Sequence, residues 1–85
     1  MDMDNEYWRD REWHTADGRR VSVKDMDLGH LVNVINWIED NRASYTEGVY
    51  QDMLKEANYR QTILFASGKP FPRRVGASWK IIDPA

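Results

Sequence analysis

Trp13-His14-Thr15-Ala16-Asp17-Gly18-Arg19-Arg20-Val21-Ser22-Val23-Lys24-Asp25-Met26, continuing Asp27-Leu28-Gly29-His30-Leu31-Val32-Asn33, is the stretch whose reading decides the fold. Asp17-Gly18 is a strong hairpin signal, because Asp and Gly tolerate the positive φ that tight turns require. Val21 and Val23 follow, alternating with Arg20, Ser22 and Lys24, so the two valines share one face and the polar set faces outward. A lone hairpin is not stable in water, which requires something for it to lie on. Asp27 then reads as a helix N-cap whose carboxylate can accept from the exposed first-turn amides. Leu28, Leu31, Val32, Ile35 and Ile38 recur at three- and four-residue spacing and define an apolar stripe that Val34 and Trp37 widen; Asn33, Asn36 and Asp40 fall on the polar face.

Working outward, Asn41-Arg42-Ala43-Ser44 reads as a connection, and a second helix begins after the N-cap Thr46. Val49, Tyr50, Met53, Leu54, Ala57, Gln61, Leu64 and Phe65 follow its period to about Ala66, where Gly68 and Pro70 end it. A short connection implies an antiparallel pair. From Lys69 to Ala85 the chain changes character, with Pro70, Pro72 and Pro84 and a basic patch at Lys69, Arg73 and Arg74. Within it, Ser78-Trp79-Lys80-Ile81-Ile82 reads either as a third strand beside the hairpin or as an arm reaching a neighbouring subunit. Residues 1–6 are polar and acidic and read as frayed, with order beginning near Tyr7 and Trp8. The expectation is one α+β domain over residues 1–85: a β-hairpin packed on an antiparallel helical pair, with a C-terminal tail or strand over 69–85.

At 85 residues without cysteine, the chain buries only about 60–65% of its unfolded surface and lacks covalent staples, so self-association into a homo-oligomer is the expected supplement. The missing cysteines suit a reducing cytoplasm. A net charge of −2 disfavours bulk attraction to nucleic acid or an anionic membrane. No apolar run approaches the roughly 20 residues that cross a bilayer, and the acidic start does not resemble a signal peptide. The reading is therefore a cytoplasmic protein.

Catalytic signals are absent from the sequence. There is no nucleophile elbow, P-loop or dinucleotide fingerprint, and His14 and His30 lack metal-binding spacing. Enzyme, metal and cofactor are not expected. What remains is basic and aromatic: Arg19, Arg20 and Lys24 on the hairpin, Arg73, Arg74 and Lys80 in the tail, with Trp13, Phe71 and Trp79 close by. Cations beside aromatic rings can pair with phosphate and stack a base, although a solvated strand face and a basic arm explain the same residues. His30 and Asn33 are polar residues beside the apolar stripe. They either bond across to the hairpin backbone or line a shallow polar site.

Trp13, Thr15, Asp17, Gly18, Val21, Val23, Asp25, Met26, His30, Leu31 and Asn33 form a Trp-x-Thr-x-Asp-Gly hairpin, an Asp-Met and a His-Leu-x-Asn. In this the segment resembles a group of short proteins of tailed bacteriophages, and the acidic start and the Trp79 tail lie outside the resemblance. The resemblance implies a non-catalytic binder in the cytoplasm of an infected bacterium, countering host defence by sequestering a nucleotide second messenger or blocking a host protein. In the nucleotide version Arg19, Arg20, Arg73 or Arg74 hold phosphate, Trp13 or Trp79 stacks on the base, and His30 and Asn33 complete the candidate set. Structural or accessory phage proteins assembling through the helices, and a small nucleic-acid module, are the alternatives.

Overall fold

Asp27 does begin a helix. Its Oδ1 accepts the His30 backbone N–H at 2.7 Å, a first-turn donor with no partner within the helix, and its carbonyl accepts that of Leu31 at 2.9 Å as the first helical bond. The computed structural model describes residues 7–15, 17–41 and 47–84. The expectations for a frayed start, for the connection beyond Asn41 and for the Thr46 cap lie outside these residues. The described elements are a 3-10 turn (Tyr7–Asp10), β1 (Glu12–His14), β2 (Arg20–Ser22), a second 3-10 turn (Val23–Asp25), α1 (Leu28–Asn41), α2 (Glu47–Ala66), β3 (Phe71–Val75) and β4 (Ser78–Ile82). The described residues make an α+β fold, with two α-helices and two separate two-stranded antiparallel sheets.

The N-terminal hairpin pairs Trp13 with Val21 and is closed by Thr15 and Arg19, with Gly18 at φ 88°. One further rung, from the Val23 N–H to the Arg11 carbonyl at 2.8 Å, carries Val23 into the core. There it joins Met26, the α1 stripe of Leu31, Val32, Val34, Ile35 and Ile38, Met53 and Ala57 of α2, and Trp79. Tyr50, near the start of α2, donates to Glu39 near the end of α1 at 2.8 Å, whereas Arg60, further along α2, reaches the Val23 and Lys24 carbonyls ahead of α1. The helices therefore run in opposite senses. Helix α2 ends in a Schellman motif: Gly68 (φ 71°) donates to the Phe65 carbonyl at 3.1 Å, and Lys69 to that of Leu64 at 3.0 Å.

The expected strand over Ser78–Ile82 is present as β4, but it is placed differently from either expectation. Ser78–Ile82 pairs neither with the first hairpin nor as an arm; it folds back on Phe71–Val75 through Gly76 (φ 65°), and the resulting hairpin lies with β3 against α2 and β4 against α1. Two prolines ahead of Arg73 hid β3 in the sequence. The register removes the objection. Val75 and Ser78 flank the two-residue turn as a hydrogen-bonded pair, so Arg74–Trp79 and Pro72–Ile81 are the alternate, non-bonded pairs. Pro72 thus loses no ladder bond. By the same alternation the Trp79 N–H and C=O point off the β4 edge, where the Asn36 side chain meets both: Oδ1 accepts the N–H at 2.8 Å and Nδ2 donates to the carbonyl at 3.0 Å. A residue read as solvent-facing is the clamp that holds the C-terminal hairpin on α1.

Two carboxylates of α2 lie out of solvent. Glu56 is 0% exposed and Asp52 is also buried. Glu56 Oε1 accepts from Trp8 Nε1 at 3.1 Å and Arg9 Nε at 2.9 Å; Oε2 accepts from Arg9 Nη2 at 3.2 Å and Arg60 Nε at 2.7 Å. Four donors on two oxygens fill the acceptor capacity of a carboxylate. Arg9 also lies over the Tyr59 ring, and Arg11 pairs with Asp52 at 2.7 Å. The first 3-10 turn is held to α2 by these charged contacts and by Trp8, which stands edge-on to Tyr59.

Three variants test these contacts by urea unfolding. Asn36→Ala strands two backbone groups of Trp79 and should destabilise the protein by about 1–3 kcal/mol; Asn36→Asp, which keeps the acceptor and loses the donor, should fall between. Glu56→Ala removes the carboxylate that the Arg9 and Arg60 guanidiniums share and should cost about 3–5 kcal/mol, most of the stability of a small domain. A loss under about 1 kcal/mol would show that the network is dispensable.

Candidate functional site

Of the eight candidate residues, three sit on each hairpin, and His30 and Asn33 sit on α1. Arg19 and Arg20 are exposed on the N-terminal hairpin and both are engaged: Arg19 Nε donates to Asp17 at 3.0 Å, and Arg20 Nη1 to Glu12 at 3.4 Å. Asp17 also accepts from the Thr15 hydroxyl and from the Arg19 backbone N–H at 3.3 Å. The Thr15 hydrogen bond, with help from Arg19, holds the Asp17 carboxyl below its ordinary value. Arg19 is thus part of the turn.

Arg73 and Arg74 are neighbours on β3 and face opposite sides of it. Arg74 donates to Glu39, which raises the Arg74 pKa, and its guanidinium lies 5.4 Å from the Trp79 ring centroid. This is the one place where the structure brings a candidate cation and a candidate aromatic together. Trp79 is buried there by its packing and by the Asn36 clamp, and its Nε1 has no hydrogen-bond partner among the described residues. A base could stack on this indole only by displacing Arg74 from Glu39. Arg73, on the other face, is exposed.

Trp13 belongs elsewhere. Its ring meets Trp37 edge-on, with centroids 6.5 Å apart, and Trp37 is 47% exposed. His30, Asn33 and Trp37 recur at i, i+3 and i+7 of α1, which places them on one side of the helix. Neither polar residue reaches the hairpin backbone. For His30 it is the main-chain N–H that bonds Asp27, and the Asn33 side chain is exposed with no partner among the described residues. Trp13, His30 and Asn33 are therefore gathered by a residue that sequence reasoning treated as a widening of the core stripe. Position 37 lies beside Ile38 and Val34, and nothing in its spacing distinguishes a half-exposed indole from a buried one.

Chemically this surface offers aromatic area, an imidazole and an amide. Among the described residues no three His, Asp or Glu side chains group as metal ligands, and no helix is long and apolar enough to cross a membrane. No family model, curated protein or solved structure matches the chain.

The depressed Asp17 carboxyl sets the pH behaviour of the first turn. A carboxylate held low in the folded state adds stability that is complete above its unfolded pKa and is lost as pH falls through the folded one. Thr15→Val removes the main cause. The Asp17 titration, followed by NMR at the Arg19 amide, should move up toward the ordinary 3.8; an unchanged midpoint would assign the shift to Arg19.

Proposed function

We propose that the chain is a non-catalytic binding protein of the tailed-phage type that counters host defence by occupying a host protein. The observation that carries this reading is the Trp13–Trp37 pair, an edge-to-face couple with one indole half-exposed and flanked by His30 and Asn33. Tryptophan dominates the energetics of protein interfaces, since it brings a large rigid apolar area at low entropy cost. The nucleotide version is less well supported. Three of its four arginines are committed to Asp17, Glu12 and Glu39, and they are spread over two sheets. A free phosphate would have to compete with an intramolecular carboxylate at each of them.

The test is affinity capture from bacterial lysate, reconstitution with the purified partner, and native mass spectrometry of the mixture and of the protein with a panel of signalling nucleotides. The reading expects a complex of defined stoichiometry that Trp37→Ala weakens about 30-fold, a hot-spot loss of about 2 kcal/mol, while Arg19→Ala with Arg20→Ala leaves it intact. A nucleotide adduct would transfer the function to the sequestering version. A free protein whose oligomer mass changes on Trp37→Ala would make this face a contact between copies, as self-association or an accessory assembly role requires.

A further inference from the structure

We propose that the outer face of the C-terminal hairpin binds an acidic polypeptide segment carrying apolar side chains between its carboxylates. This surface is separate from the Trp37 face, and the inference stands whether or not that face is the one used against a host protein.

The first observation is where the unpaired cations are. Among the described residues Arg9, Arg11, Arg19, Arg20, Lys24, Lys55, Arg60 and Arg74 each have a carboxylate within ion-pair distance. Lys69, Arg73 and Lys80 have none. In a chain of net charge −2, every described cation left without a counter-charge lies on one hairpin or its lead-in.

The second is their arrangement. Arg73 is directly opposite Lys80 in the register, so both side chains rise from the same face with Cβ atoms about 5 Å apart. Like charges directly opposite on a sheet are destabilising. The neighbouring position shows the contrary solution, because Arg74 turns to the inner face and meets Glu39. The Arg73–Lys80 pair is a local cost to the fold that a bound anion would relieve.

The third is what flanks the pair. Val75, two residues along the strand on the same face, is 42% exposed. At the other end Phe71, also on that face, is covered by Phe65, whose ring stands edge-on to it at 5.4 Å and is itself 66% exposed. The face therefore reads apolar, doubly cationic, apolar along β3. A nucleic-acid backbone would satisfy the cations but offer nothing to Val75, and the acidic remainder of the chain would repel a long polyanion. An acidic segment with apolar residues between its carboxylates meets all three parts.

The probe is a synthetic peptide of alternating Glu and Leu, titrated into the full-length 15N-labelled protein. Saturable shifts confined to Phe65, Lys69, Arg73, Val75 and Lys80 are expected, weakening at higher salt. Lys80→Glu places a carboxylate opposite Arg73; it should raise Tm while lowering peptide affinity at least tenfold, a pairing that a merely structural role would not produce. Val75→Ser should weaken binding without changing the salt dependence. Absence of saturable shifts, or equal affinity in Lys80→Glu, overturns the inference. So does tighter binding of a single-stranded oligonucleotide or of anionic phosphatidylserine vesicles at the same residues.

Discussion

A single carboxylate sets the position of much of this molecule. Glu56 is held by Trp8 and Arg9 from the N-terminal turn and by Arg60 from its own helix, and Arg60 goes on to the carbonyls of Val23 and Lys24. Two pieces of chain far from α2 in sequence are thereby fixed to it. A buried ion pair contributes little net stability relative to a well-packed apolar replacement, since desolvation offsets most of the Coulomb attraction. Its directional demand is another matter. Apolar contacts tolerate sliding, whereas a carboxylate out of water tolerates almost no loss of donors. Leu31, Ile35 and Met53 in the core give the driving force, and Glu56 selects which arrangement they drive toward.

The two hairpins are attached by different physics. The C-terminal one is docked through Trp79 in the core and through Asn36, whose amide imitates the next strand of the sheet by giving one donor and one acceptor to the same residue. The N-terminal one is anchored where Trp13 meets Trp37 and where Val23 leaves β2 for the core. Its turn is held by its own local bonds among Thr15, Asp17 and Arg19.

What could be read from the sequence follows from how local each signal is. Asp17-Gly18, the Asp27 cap, the α1 stripe and the Gly68 stop are each decided within a few residues, and the structure reproduces them. The second hairpin was missed because Pro72 forbids a strand only if its N–H position faces the partner, and that depends on the register with Ile81. Asn36 was placed on the polar face, and the burial of Glu56 went unread, for a related reason. A polar residue adjoining an apolar stripe is buried only when some distant group supplies its bonds, and Trp79, Trp8 and Arg9 lie more than forty positions away. Of the candidate site, Trp13, His30 and Asn33 share a side of the molecule through Trp37, whereas Arg74 and Trp79 meet on the inner face of the other hairpin.

Pro72 has a consequence for how copies of the protein behave when crowded. An exposed strand edge is a template on which another chain can add, and unchecked addition leads to aggregates and fibrils. On the outer edge of β3 the proline removes one of the amides that such growth would use, and on the outer edge of β4 the Asn36 side chain occupies the Trp79 rung. β1 and β2, at three residues each, are too short to nucleate a cross-β stack readily. The proline that made β3 hard to recognise as a strand also keeps that strand from recruiting others.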